Sequence, residues 1–201
     1  LKQAIDAGYD MVHFDGSKMS LEENIKITKE VIKYAKWRGV LAEGEVGRIG
    51  NDSSKIYSEK FQINEDDLTK PDEAQKFVKE TGVNLLAISI GNFHGIEVSG
   101  IDPNLRLDVL KSIKGKISDA FLTLHGGSGT PEDDIKEAIE LGIVKININT
   151  ELRVAFSGSL RRFLNNNQEE VVPYKFLSDA KDSVEKVVER KIALFASANK
   201  M

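Results

Sequence analysis

The chain has 201 residues, 40% of them hydrophobic, and a formal net charge of −4 spread over interspersed acids and bases. That suffices for one sizeable core, and the charge pattern shows neither a nucleic-acid nor a membrane-surface footprint. With no cysteine it makes no disulfide or thiolate metal site, and no apolar run reaches the roughly 18 residues of a membrane span.

Leu1–Gly8 (LKQAIDAG) reads as the end of an amphipathic helix closed by glycine. It opens in mid-helix without a cap, so the sequence predicts further chain ahead of Leu1. Met11–Asp15 (MVHFD) is the first strand, followed by a turn at Gly16-Ser17. Ser20, with Glu23 three residues on, makes a capping box for a helix to about Trp37. Val40–Val46 (VLAEGEV) is the next strand, and Glu43 and Glu45, two apart, share one of its faces. From Gly50 to about Lys70 the pattern turns polar and serine-rich, which predicts a functional lid or a partly disordered loop. Thr69, two residues before Pro71, is the expected cap of a helix that ends at Gly82.

The strongly apolar Asn84–Ile90 (NLLAISI) forms a strand that runs into Gly91-Asn92-Phe93-His94-Gly95. A helix over Leu105–Lys114 leads to the buried strand Phe121–Leu124 and the glycine loop His125–Gly129. A helix over Pro131–Leu141, a last strand over Ile143–Ile148, and terminal helices from Glu151 to about Asn165 and Ser178 to about Ala196 complete the chain.

Strands each followed by a helix are the signature of βαβ units and a parallel sheet, here in a single domain over residues 1–201. The candidate polar groups Asp15, Glu45, His94, His125, Asn147 and Asn149 all stand at strand C-terminal ends. In a (β/α)₈ TIM barrel that face carries the active site, and the loops after the last two strands hold phosphate. On that reading the chain holds the last five strands of a barrel. An open doubly wound sheet is the alternative, although it offers only one crevice at a switch point.

His94 and His125 are each followed by glycine at a strand end. Taken as a matched pair they read as metal ligands, since imidazole suits zinc and a catalytic zinc keeps one position open. His13 shares a face with Asp15 one layer lower and is assigned a core role. Glu45 and Asp15 either support the ligands through hydrogen bonds or form a second cation site. Glu43 is left to pair with a basic neighbour, and Lys18, Lys145, Lys175 and Lys181 are read as solvated. Gly126, Gly127 and Ser128, beside a helix N-terminus, suit a phosphate, and Asn147-Ile148-Asn149-Thr150 either joins that contact or caps the following helix through Thr150.

These residues resemble the class II, zinc-dependent ketose-bisphosphate aldolases of the fructose and tagatose type. The blocks FDGSKMSLEENIKITKEV, AEGEVGRIG, TGVNLLAISIGNFHG, LHGGSG and IVKININTEL occur in the family's order along the whole chain. FHGIEVSG and the tail FLSDAKDSVEKVV look closer to the tagatose-type branch. The resemblance implies that His94 and His125 are two of three zinc histidines, with Asp15 and Glu45 near an alternate cation site. It places Gly95, Gly126–Ser128 and Asn147–Thr150 on the dihydroxyacetone-phosphate half of the substrate.

The family's third zinc histidine and its catalytic aspartate lie in a His-x-Asp-His segment that this sequence lacks and that is expected upstream of Leu1. Two further departures stand out. The family loop carries Gly-Gly-x-Glu-Asp where Gly50 is followed here by Asn51, Asp52, Ser53 and Ser54, and Val98 replaces a lysine found in many members. The implied activity is reversible cleavage of a ketose 1,6-bisphosphate to dihydroxyacetone phosphate and glyceraldehyde 3-phosphate, with Zn2+ as Lewis acid. A cytoplasmic homodimer or homotetramer acting on a small phosphosugar is implied with it. The competing readings are a degenerate barrel that binds phosphosugar without cleaving it, and a metal-free isomerase barrel that leaves both His-Gly pairs idle.

Overall fold

The computed structural model describes residues 1–99 and 102–199, so Gly100 at the end of the FHGIEVSG block lies outside it. The elements run α1 (Lys2–Asp6), β1 (Met11–Phe14), α2 (Leu21–Trp37), β2 (Leu41–Val46), β3 (Ile56–Tyr57), α3 (Pro71–Thr81), β4 (Leu85–Ile88) and β5 (Ile96–Glu97). They continue as α4 (Leu107–Lys114), β6 (Phe121–Leu124), α5 (Glu132–Glu140), β7 (Ile143–Ile146), α6 (Thr150–Asn166) and α7 (Pro173–Leu194).

Strands β1, β2, β4, β6 and β7 form one parallel sheet in that order. The order follows the chain with no reversal, so the sheet is an arc of barrel wall and has no switch point of the doubly wound kind. Alternation along each strand divides the residues between the two faces of the arc. Toward the helices point Val12, Ala42, Val46, Leu86, Ile88, Leu122 and Leu124, all in the buried core. Phe77 of α3 packs flat against Gly44, where a Cβ would fall 2.7 Å from the ring. The opposite face carries His13, Glu43, Glu45, Thr123, His125 and Lys145, with Leu85 and Ala87 of β4 set among these polar groups.

Local chemistry explains most boundaries. Ser20 Oγ accepts from the Glu23 amide, and the Glu23 carboxylate accepts from the Ser20 amide, so the expected capping box starts α2. Thr69 is no cap. Its hydroxyl, 1% exposed, donates to Val46 O at 2.5 Å and accepts from the Ser89 amide at 2.7 Å, tying β2 to the end of β4. The last helix begins at Pro173, earlier than its apolar periodicity suggested, because proline suits the first helical turn.

The polar stretch after Gly50 is more ordered than its composition implied. β3 pairs in parallel with β5, and the Phe61 amide donates to the buried Glu97 carboxylate at 2.6 Å. Phe61 also stacks between Tyr57 and Phe93, at ring-centre distances of 5.3 and 4.7 Å. The segment is thereby pinned to the loop that carries His94.

Candidate metal and phosphate site

The three histidines of the chain, one within β1, one in the loop after β4 and one just past the end of β6, come close to one another on the polar side of the arc. His125 sits at the centre. Its Nε2 lies 2.7 Å from Glu43 Oε1, and its Nδ1 lies 3.7 Å from Glu45 Oε2. The side chains of Glu43, Glu45 and His125 are 0%, 3% and 9% exposed, so both contacts are shielded from water. Glu43 also accepts from Thr123 Oγ1 at 3.1 Å and Lys145 Nζ at 2.8 Å. Burial raises the Glu43 carboxyl, but the hydrogen bonds and charges of His125 and Lys145 outweigh it and hold it at about 2. Glu43 is thus ionised, and Lys145 is its partner and not the solvated lysine expected from sequence.

His13 also departs from its expected core role. Its Nε2 stands 3.3 Å from Glu45 Oε2, and its ring meets the His125 ring edge-on at 4.8 Å between centres. That nitrogen is buried and makes no hydrogen bond among the described residues. The ligand atoms of His13, Glu45 and His125 all lie within 4.8 Å of one another, which makes this trio a candidate metal group.

His94 lies on the far side, its ring centre 6.3 Å from that of His125. Zinc sits about 2.1 Å from each imidazole nitrogen, so at tetrahedral angles two rings on one ion have centres about 5.3 Å apart. The His94–His125 pair is about 1 Å wider than that, and His94 is not among the three residues whose ligand atoms lie within 4.8 Å of one another. Burial pushes the His94 ring below the ordinary imidazole value, against the opposing pull of Glu45 and Asp15. The neutral form that this favours is the one that ligates metal. Asp15 is exposed and turned to its own loop, accepting from the Ser17 amide and hydroxyl at 2.9 and 2.6 Å. Partial burial raises its carboxyl, and the Ser17 hydrogen bonds outweigh that and lower it.

Two asparagines hold this arrangement from behind. Asn92 Nδ2 donates to His125 O at 2.8 Å, coupling the His94 loop to the His125 strand end. Asn24 Nδ2 donates to Glu45 O at 2.8 Å. The glycines after the two histidines follow from close approaches, Gly126 to the His94 loop and Gly95 to the segment that carries Asp52 and Tyr57. Gly126 has φ +62°, and a Cβ there would fall 2.0 Å from Phe93 O; Gly95 has φ +92°. Neither position admits a side chain without moving the partner loop.

Beside His94 opens a cavity of about 470 Å³, lined by Gly95, Gly126, Ser128, Ile146, Asn147, Ile148, Asn149 and Thr150. These are nearly all the residues that the sequence assigned to phosphate. Gly127 is the exception, since it turns toward the side chains of Ile146 and Ile148. Ser128 Oγ accepts from the amides of Asn149 and Glu151 at 3.3 and 3.4 Å, which leaves its own proton to donate. The 17-residue α6 starts here and directs its positive dipole end at the cavity. Its Thr150 makes no side-chain cap but donates to Ser53 O at 2.8 Å. Ser53, from the loop that departs from the family pattern, thus completes the cavity rim and was not foreseen. Asp52 accepts from the Ser54 amide and hydroxyl at 2.8 Å each, so its carboxylate is engaged within that loop.

Glu43 was the other group missed. Its only signal in the sequence is the two-residue spacing from Glu45, which fixes a shared face but not what stands opposite.

A donor set of imidazole and carboxylate, with a buried unpartnered ring nitrogen among them, suits a divalent transition ion such as zinc. A family model described as fructose-bisphosphate aldolase class-II matches residues 1–200. The chain is 39% identical over 207 residues to the fructose-bisphosphate aldolase of Streptococcus pyogenes serotype M1, covering 98% of this chain and 68% of that one. It is 40% identical over 199 residues to the 6-phospho-5-dehydro-2-deoxy-D-gluconate aldolase of Bacillus subtilis strain 168, covering 99% and 66%. In structure it resembles the YdjI aldolase from Escherichia coli K12 with a TM-score of 0.79 and 32% identity, over 98% of this chain and 64% of that one.

Proposed function

The chain belongs to the class II fructose-bisphosphate aldolase family, and from that premise we propose that it serves reversible aldol cleavage of a ketose 1,6-bisphosphate of fructose or tagatose type. The products would be dihydroxyacetone phosphate and glyceraldehyde 3-phosphate. One observation carries the reading: three histidines and two buried glutamates converge beside a cavity lined by a glycine loop and a helix N-terminus.

His94 and His125 would hold a zinc ion, with Glu45 alongside. When bound, that ion supplies a Lewis acid for the negative charge that develops as the C3–C4 bond breaks. Glu43, on Nε2, keeps the His125 ring in one orientation and leaves Nδ1 facing Glu45. The amides of Gly126 and Ser128, the Ser128 hydroxyl and the start of α6 would hold the 1-phosphate. Anchoring that phosphate fixes the reacting carbons against the histidines and removes the entropy cost of bringing them there. None of the 201 residues is assigned the proton transfer from the C4 hydroxyl.

The test is coupled detection of triose phosphate from fructose 1,6-bisphosphate and tagatose 1,6-bisphosphate, before and after chelation and with zinc restored. A third arm uses 6-phospho-5-dehydro-2-deoxy-D-gluconate, the substrate in the name of the Bacillus relative. Cleavage that a chelator abolishes and zinc restores supports the proposal. Phosphosugar binding with zinc present and no cleavage favours the degenerate, binding-only barrel.

A further inference from the structure

We propose that His13 is a metal ligand, so that His13, Glu45 and His125 together form a three-donor divalent-cation site. The inference rests on the reading of this cluster as a metal centre and adds a residue that the resemblance does not assign.

The first ground is distance. Two donors about 2.1 Å from a tetrahedral ion stand about 3.4 Å apart. Glu45 Oε2 is 3.3 Å from His13 Nε2 and 3.7 Å from His125 Nδ1, and all three ligand atoms fall within 4.8 Å of one another. One ion between them meets two imidazoles and a carboxylate, and the fourth tetrahedral position is the one His94 would take in the zinc centre proposed above.

The second ground is an unmet need. His13 Nε2 is buried and has no hydrogen-bond partner among the described residues, although Glu45 is only 3.3 Å away. A buried polar atom without a partner is costly, and a cation between the two atoms satisfies both.

The third ground is how His125 is held. Glu43 occupies its Nε2, so Nδ1 is the atom turned toward Glu45 and His13. A carboxylate on the far nitrogen is the usual support for a ligating imidazole, since it fixes the tautomer and raises the basicity of the near nitrogen. His13 itself sits on β1, in register with Glu43 of β2, so the backbone and not a mobile loop places it.

The experiment uses the purified protein with ¹⁵N-labelled histidine. Three ring systems are expected from this sequence, each assigned by its loss in a single His→Gln variant. Zn2+ or ¹¹³Cd2+ is added and the ring nitrogens are followed, while zinc affinity is measured by competition titration in wild type, His13→Gln and His94→Gln. The expected result is a metal-dependent shift of His13 Nε2, with direct ¹¹³Cd coupling, and zinc affinity at least about tenfold weaker in His13→Gln. The ring signals of the unsubstituted protein answer the question even if His13→Gln folds poorly. Metal that moves His125 and leaves the His13 ring unchanged overturns the proposal while the metal-centre reading stands. Absence of any metal binding overturns both.

Discussion

Glu43 Oε1 lies 2.7 Å from His125 Nε2, and the Glu43 side chain is fully enclosed. Two residues 82 apart in sequence are thereby joined across the sheet, with Lys145 closing the charge balance from the next strand. Changing Glu43→Gln keeps the shape but removes the charge that orients the ring. Zinc affinity should fall by about 10- to 100-fold, as for other groups supporting a metal histidine. Competition titration measures it, and unchanged affinity would show that His125 needs no such partner.

Gly126→Ala tests the close approach of the two histidine loops. Its Cβ would fall 2.0 Å from Phe93 O at a φ of +62°, so clash and left-handed strain act together. A loss of about 3 kcal/mol in unfolding free energy is expected, together with loss of inorganic phosphate binding. Denaturant titration and calorimetry read the two effects, and an alanine variant with native stability would rule out the close approach.

Thr69→Val removes a hydroxyl that donates to Val46 O and accepts from the Ser89 amide. Both backbone groups are then stranded in a buried setting, which should cost about 2–3 kcal/mol. Thr69→Ser should keep most of the stability. Equal loss in both variants would mean that packing of the methyl group, and not the hydrogen bonds, matters at this joint.

Asp102 gives the clearest pH dependence. Its carboxyl is pushed up to about 7 by burial, with the charges of Glu97 and Glu151 adding to it against one hydrogen bond from the Glu97 amide. One of its oxygens is buried without a partner among the described residues. The folded protein therefore holds a proton that the unfolded chain releases near the ordinary aspartate value of 3.8. With more protons bound when folded, stability falls as pH rises from about 4 to about 7 and levels off above that. Asp102→Asn should be more stable than wild type at pH 8 by about 2–4 kcal/mol, with the gap closing toward pH 4. Parallel unfolding curves at the two pH values check it, and a gap independent of pH would contradict it.

The fold was largely legible because its signals are local. Alternating apolar strands and capped helices announce βαβ units, and Ser20 with Glu23 marks a helix start without help from the rest of the chain. The cavity was legible for the same reason, since Gly126, Ser128 and Asn147–Thr150 are contiguous at two strand ends. What was hidden depends on meetings across the sheet. His13 looks like an interior strand residue until Glu45 and His125 are seen facing it. Lys145 looks solvated until Glu43 is found opposite. Thr69 resembles a helix cap because the proline beside it gives the same signal as a true helix start, while its bonds go to strands 20 or more residues away. Ser53 and the β3–β5 pairing escaped because polar, serine-rich sequence carries no period from which to read a partner.

The most direct test of the account is anomalous diffraction at the zinc edge from crystals soaked in zinc and inorganic phosphate. The account predicts one peak about 2.1 Å from His125 Nδ1, with Glu43 still on Nε2 and phosphate beside Gly126 and Ser128. Zinc bound on the Nε2 side, or only at surface carboxylates, would contradict it.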